Sequence, residues 1–171
     1  MLKIKNVVTT LVVISLALTT SSAVARDQPG KGYDRNFSDH GRGTPCQVLF
    51  SDHPYLTDQT FRTISTFTAD GSYYASRYHN REPLMSAGTL YHECDTTVVA
   101  YNSLDNGTIL RITNPQTGIS QLAVVQDKGG ERVTTRPDLS RGLLETLGGG
   151  RPAEEIGLLH DLVYEVLEPV N

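Results

Sequence analysis

The stretch Asn106-Gly107-Thr108-Ile109-Leu110-Arg111-Ile112-Thr113-Asn114, followed by Thr117-Gly118 and then Gln121-Leu122-Ala123-Val124-Val125-Gln126-Asp127, decides the fold. Two short runs rich in β-branched and apolar residues each follow a turn pair, which reads as strands joined by tight turns. The same pattern continues in both directions. Toward the N-terminus lie 47–50, 61–68, an Asp70-Gly71 turn, 72–78 and 97–101. In 61–68, Phe61, Thr63, Ser65 and Phe67 alternate against Arg62, Ile64 and Thr66. Toward the C-terminus lie 132–135 and 161–167. Short runs of this kind, spaced by Gly, Asn and Asp, read as an all-β barrel or sandwich. One stretch departs from it. Leu143, Leu144 and Leu147 fall on helical spacing, Asp138 or Ser140 supplies an N-cap, and Gly148-Gly149-Gly150 ends the run. A second helical turn starts at Pro152, with Glu154 and Glu155 in it.

The composition excludes several classes. The 171 residues carry 15 Lys+Arg against 19 Asp+Glu, a net charge of −4, with 38% hydrophobic residues, 15 Gly and 8 Pro. That is too apolar for a disordered chain and too rich in turn formers for a helical bundle. The acidic balance, with no long Lys/Arg block, argues against a nucleic-acid partner. Residues 1–25 read as a secretory signal peptide: Lys3 and Lys5, an apolar run over 7–18, and Ala23-Val24-Ala25 at the end. The run is too short to span a bilayer, which takes about 20 residues. Removing the leader takes away two Lys and no acid, leaving 146 residues with 13 basic and 19 acidic groups, a charge of −6. Residues 26–45 are polar, rich in Gly and Asp, and have no hydrophobic period.

Export places Cys46 and Cys94 in an oxidising compartment, where an even count favours one disulfide. The alternative is a reactive thiol or metal ligand. His92-Glu93-Cys94-Asp95 is suggestive, but His40, His53 and His79 are scattered and no partners stand at ligand spacing. No metal and no cofactor is expected.

From Tyr74 to Pro169 the motifs resemble, in order, the rare lipoprotein A (RlpA)-like family. Tyr74-Ala75-Ser76-Arg77-Tyr78 looks like that family's A-S-W-Y-G strand, and Ser86-Ala87-Gly88 sits where it has a T-A-S/N-G turn. Residues 106–114 are similar to G-T-x-V-x-V-T-N. Val125-Gln126-Asp127-Lys128-Gly129-Gly130 matches V-N-D-R-G-P, and Arg136-Pro137-Asp138-Leu139-Ser140-Arg141 matches R-I-I-D-L-S with its helix. The resemblance implies a six-stranded double-psi β-barrel over 73–171 with one or two short helices, preceded by an N-terminal extension over 26–72.

It also implies a secreted or periplasmic protein associated with the cell wall, a monomer with no membrane anchor after signal cleavage. Its partner would be peptidoglycan, bound and, in a lytic-transglycosylase-like protein, cleaved. The alternative is a non-catalytic polysaccharide-binding or protein-interaction module on the same barrel. A transglycosylase can use the sugar's own hydroxyl as nucleophile, so one acid/base group serves both steps. By resemblance that group is Asp127. Tyr78 and Tyr101 stand as sugar-stacking candidates and Lys128 as an orienter of anionic groups. Asp138 joins them, its simplest role being to cap the helix or brace the loop carrying Asp127. Two departures bear on activity. The family's second acid has no counterpart in Ser86-Ala87-Gly88-Thr89-Leu90, and the chain has no Trp.

Overall fold

A computed structural model describes residues 46, 49, 51–74 and 84–170. The leader, the lead-in over 26–45, most of 47–50 and Tyr78 lie outside the described residues. Six strands are formed: β1 (Phe61–Tyr73), β2 (Val98–Ala100), β3 (Ile109–Asn114), β4 (Ile119–Asp127), β5 (Asp138–Leu139) and β6 (Leu158–Pro169). Two short helices, α1 (Arg141–Leu147) and α2 (Ala153–Ile156), lie between β5 and β6.

The strands close into a barrel in the order β1-β5-β2-β4-β3-β6. β5 sits between β1 and β2, and β2 sits between β5 and β4. The chain therefore skips one place from β1 to β2 and again from β4 to β5, and the two crossings interlock. β1–β5 and β2–β4 are parallel, while β2–β5 is antiparallel. A strand held between two antiparallel strands, twice over, is the double-psi arrangement.

The local reasons are visible in the residues. β3 alternates half-buried and buried positions, so Leu110 and Ile112 fill the barrel while Arg111 and Thr113 face outward. Its hairpin to β4 pairs Asn114 with Ile119, and Gly118 turns the loop at φ 72 with its amide on the Asn114 carbonyl. Val99, Ala123, Val125, Leu139, Leu162 and Tyr164 complete the interior. Leu143, Leu144 and Leu147 of α1 close the barrel with no exposed surface, each contributing about 1.5–3 kcal/mol. Ser140 is the N-cap of α1, accepting from the Leu143 amide. Asp138 instead lies in β5 and accepts from the Ser72 hydroxyl.

Three expectations are corrected. Asp70-Gly71 is not a turn but part of β1, marked by a shift in register against β6. Gly71 is there for close approach: a Cβ would meet Leu162 Cδ1 at 2.7 Å and Leu139 Cδ1 at 3.1 Å. The barrel consequently takes in 61–72, assigned above to the extension. Residues 132–135 do not form a strand either. Glu131–Thr134 is a 3-10 turn whose one buried side chain is Val133.

Cys46 and Cys94 form a disulfide with a Cα–Cα distance of 5.6 Å. No helix among the described residues is long and apolar enough to cross a membrane.

Candidate functional site on the outer face of the barrel

Ala100 in β2 is paired with Asp127 of β4 on one side and Asp138 of β5 on the other, and Asp138 is paired with Ser72 of β1. Neighbours in register share a face, so Asp127, Ala100, Asp138 and Ser72 form a row across four strands. Val99 and Leu139, the chain neighbours of Ala100 and Asp138, point into the core, and the register shift that moves the pairing from Val99–Val125 to Ala100–Asp127 turns Asp127 to the outer face with them. Two strand spacings, about 9–10 Å, separate the Cα atoms of the two aspartates.

Asp127 is anchored through one oxygen. Its Oδ1 accepts from the Ser86 amide at 2.9 Å and the Lys128 amide at 2.8 Å. Its Oδ2 has no hydrogen-bond partner among the described residues. The Asp127 carbonyl accepts from the Tyr101 amide at 3.0 Å. Asn102 holds the following loop, donating to Gly129 and Gly130 carbonyls at 3.1 Å each and accepting from the Gly129 amide at 2.9 Å. The carboxylate is thus fixed by two backbone amides on one oxygen, and its main chain by a third, while the side chain stays half-buried.

The other candidates are used differently. The Lys128 ammonium donates to the Tyr101 carbonyl at 3.0 Å and to the Leu104 carbonyl, so it braces the 101–104 loop. Tyr101 is buried and its ring stacks on Phe67 at 5.5 Å, which in turn stacks on Tyr164 at 4.8 Å. Tyr91 stacks on Tyr74 at 4.4 Å and donates its hydroxyl to the Tyr74 carbonyl. With Met85 and Val98 these two rings make a small second core beside the acidic row. Burial raises the pKa of both phenols above the ordinary tyrosine range and keeps them neutral.

A buried polar chain adjoins this core, and no sequence motif pointed to it. Asp95 Oδ1 accepts from the Thr97 amide at 2.7 Å and the Thr97 hydroxyl at 2.6 Å. Thr97 Oγ1 lies 3.0 Å from His53 Nδ1, and His53 Nε2 meets the Gln126 side-chain amide. With Asp95 ionised, the Thr97 proton is committed to it, so His53 carries its proton on Nδ1 and accepts at Nε2. Burial lowers the His53 pKa, which favours that neutral ring. Gln126 also accepts from the Thr89 hydroxyl. The chain ties 53, 89, 97 and 126 together behind Asp127.

Asp95 is fully buried, and its Oδ2 lacks a hydrogen-bond partner among the described residues. Desolvation raises its pKa from 3.8 to about 6, against the opposing bonds from Thr97. The folded state therefore holds this proton more tightly than the unfolded chain, and the Asp95 contribution falls as pH rises from 3.8 to about 6. His53 acts in the opposite sense, destabilising the fold as pH drops below 6.5. Comparing wild type with Asp95→Asn at pH 4 and pH 7 by urea unfolding isolates the first effect. The wild type is expected to lose up to about 3 kcal/mol relative to the variant over that interval. A constant difference would show that Asp95 is not desolvated.

No family model matches the chain, and no curated protein is similar to it. Among solved structures the chain is similar to a Streptomyces papain inhibitor (SPI), at 16% identity over 60% of this chain and 94% of that one, with a TM-score of 0.44.

Proposed function

We propose that the protein is a secreted, cell-wall-associated barrel that engages peptidoglycan glycan strands along the Asp127–Asp138 row, with Asp127 as the acid/base of a lytic-transglycosylase-like cleavage. One observation carries the reading: Asp127, the residue the RlpA-like resemblance selects, is held rigidly by three backbone contacts with one carboxylate oxygen left over. A single fixed carboxyl is enough for this chemistry. It protonates the glycosidic oxygen as the bond breaks, then takes the proton of the sugar hydroxyl that closes the anhydro ring.

A second reading, a polysaccharide-binding module without catalysis, draws on different contacts. Ser86 presents its amide to Asp127 in place of a second acid, and Tyr101 and Lys128 are engaged within the fold.

The test is to incubate the protein lacking residues 1–25 with purified peptidoglycan and to analyse soluble products by mass spectrometry. Anhydro-sugar products that fall at least about 100-fold in Asp127→Asn, the scale of one general acid/base, support the catalytic reading. Retention on the insoluble wall with no released fragments selects the binding module. Neither products nor retention would sink both.

A further inference from the structure

We propose that Arg132, Thr135 and Arg136 form a carboxylate-binding subsite near the Ser72–Asp138 end of the acidic row. These three residues and Asp70 line an open depression of about 320 Å³. Neither arginine is ion-paired among the described residues, although acids outnumber bases in this chain. The Arg136 Nε is buried without an acceptor among the described residues. A buried guanidinium N–H left without an acceptor is costly, and a bound anion is a direct way of satisfying it.

The place of the subsite follows from the register. β1 and β5 run parallel with Ser72 opposite Asp138, and the Ser72 amide bonds to the Pro137 carbonyl. Asp70 stands two residues before Ser72 and Arg136 two residues before Asp138, and both line the depression, which is thus displaced along the chain direction from the Ser72–Asp138 pair. A ligand that covers the Ser72–Asp138 end of the row and turns from across the strands to along them thus reaches the two guanidinia.

Charge selects the ligand class. Two guanidinia bring two positive charges, while Asp70, which also lines the depression, brings one negative charge, partly engaged by His160 at 3.3 Å and the Asp161 amide at 3.2 Å. The net is one positive charge, which suits a monoanion better than a phosphate dianion. Two planar guanidinium forks also match the two oxygens of a carboxylate. The ligand is therefore a glycan with a carboxylate on a sugar unit beyond the one over Asp127. The glycan as carrier rests on the function proposed above; the affinity for a carboxylate does not.

The experiment follows backbone amide and arginine Nε–H signals by NMR in the protein lacking residues 1–25. The probes are a galacturonic acid trimer, its methyl ester, a neutral N-acetylglucosamine trimer and inorganic phosphate. The acid trimer is expected to move the signals of Arg132, Thr135 and Arg136, and to bind at least about tenfold more tightly than its ester. Arg132→Gln and Arg136→Gln should each weaken it by a similar factor, with the spectrum elsewhere unchanged. Equal binding of acid and ester overturns the proposal, as does tighter binding of phosphate or an absence of shifts at these residues at tens of millimolar ligand. Wall retention without carboxylate selectivity would remove only this subsite. Carboxylate selectivity without retention or cleavage of peptidoglycan would instead remove the function proposed above and leave the subsite standing.

Discussion

Replacing Arg141 by alanine is expected to cost the fold about 3–5 kcal/mol, the scale on which one partner of a buried ion pair is missed. Arg141 opens α1 with 2% of its side chain exposed, and three carboxylates surround it. Its Nε meets Glu145 at 2.8 Å, and its terminal nitrogens meet Glu93 at 3.3 Å and Glu154 at 3.1 Å. Glu145 is equally buried, and it also accepts from the Cys46 amide at 2.7 Å and the Ala153 amide at 3.0 Å. Without the guanidinium, Glu145 becomes a buried anion facing two other carboxylates. Urea unfolding of Arg141→Ala measures the loss, and a shift under about 1 kcal/mol would place the network in effective contact with water. Arg141→Met with Glu145→Gln is expected to recover part of it. That pair removes the stranded charge and keeps a side-chain oxygen for one of the two amides, which is why the recovery is partial.

Reducing the Cys46–Cys94 bridge is the second large effect. The cross-link spans 48 residues, for which chain entropy gives about 4 kcal/mol. In a domain of this size that corresponds to a fall in melting temperature of roughly 12–16 °C. Calorimetry with and without reductant, and on Cys94→Ala, measures it. A fall of under about 3 °C would mean that the segment around Cys46 is held by other contacts. The Cys46 amide is bonded to Glu145, so the bridge and the ion-pair network share a neighbour. Combining Arg141→Ala with reduction should cost less than the two losses added together.

Much of the barrel was legible because its strands carry their own signals. The 106–127 hairpin is bounded by Asn-Gly and Thr-Gly pairs, and α1 shows leucines at helical spacing before three glycines. The disulfide followed from two cysteines in a chain whose first residues read as a secretory leader. The failures have a common cause: residue type does not reveal which neighbour the fold will bring. Asp70-Gly71 has a turn's composition, yet Gly71 serves a close approach by Leu162, far off in sequence. Val133 and its threonines look like a strand, but one buried valine in a tight turn produces the same string.

The site was legible only where resemblance marked a position. Asp127 and Asp138 are brought side by side across Ala100, an adjacency visible only in the register of three strands. Tyr101 and Lys128 could be named from sequence, but their contacts with Phe67 and Leu104 could not be read there. The Asp95–Thr97–His53–Gln126 chain has no local spacing that announces it. The Arg141–Glu145 pair did offer one signal, an i,i+4 spacing on a helix, which marks a pair without revealing that it is buried.

The first strand of the barrel is zipped to the last, with Phe61 opposite Pro169 and Arg62 bonded to Glu168 across 106 residues of chain. A polypeptide that has emerged only as far as α2 has five of the six strands and no means of closing. Long-range pairing of this kind places the molecule among slow folders, on millisecond-to-second scales, and leaves incomplete chains with open strand edges. The same adjacency makes the two ends of the barrel interchangeable. A short linker from Pro169 back to Phe61, with new termini cut in the 115–118 turn, should give a chain that closes in a different order to the same barrel, less stable by the loss of the Cys46–Cys94 bridge.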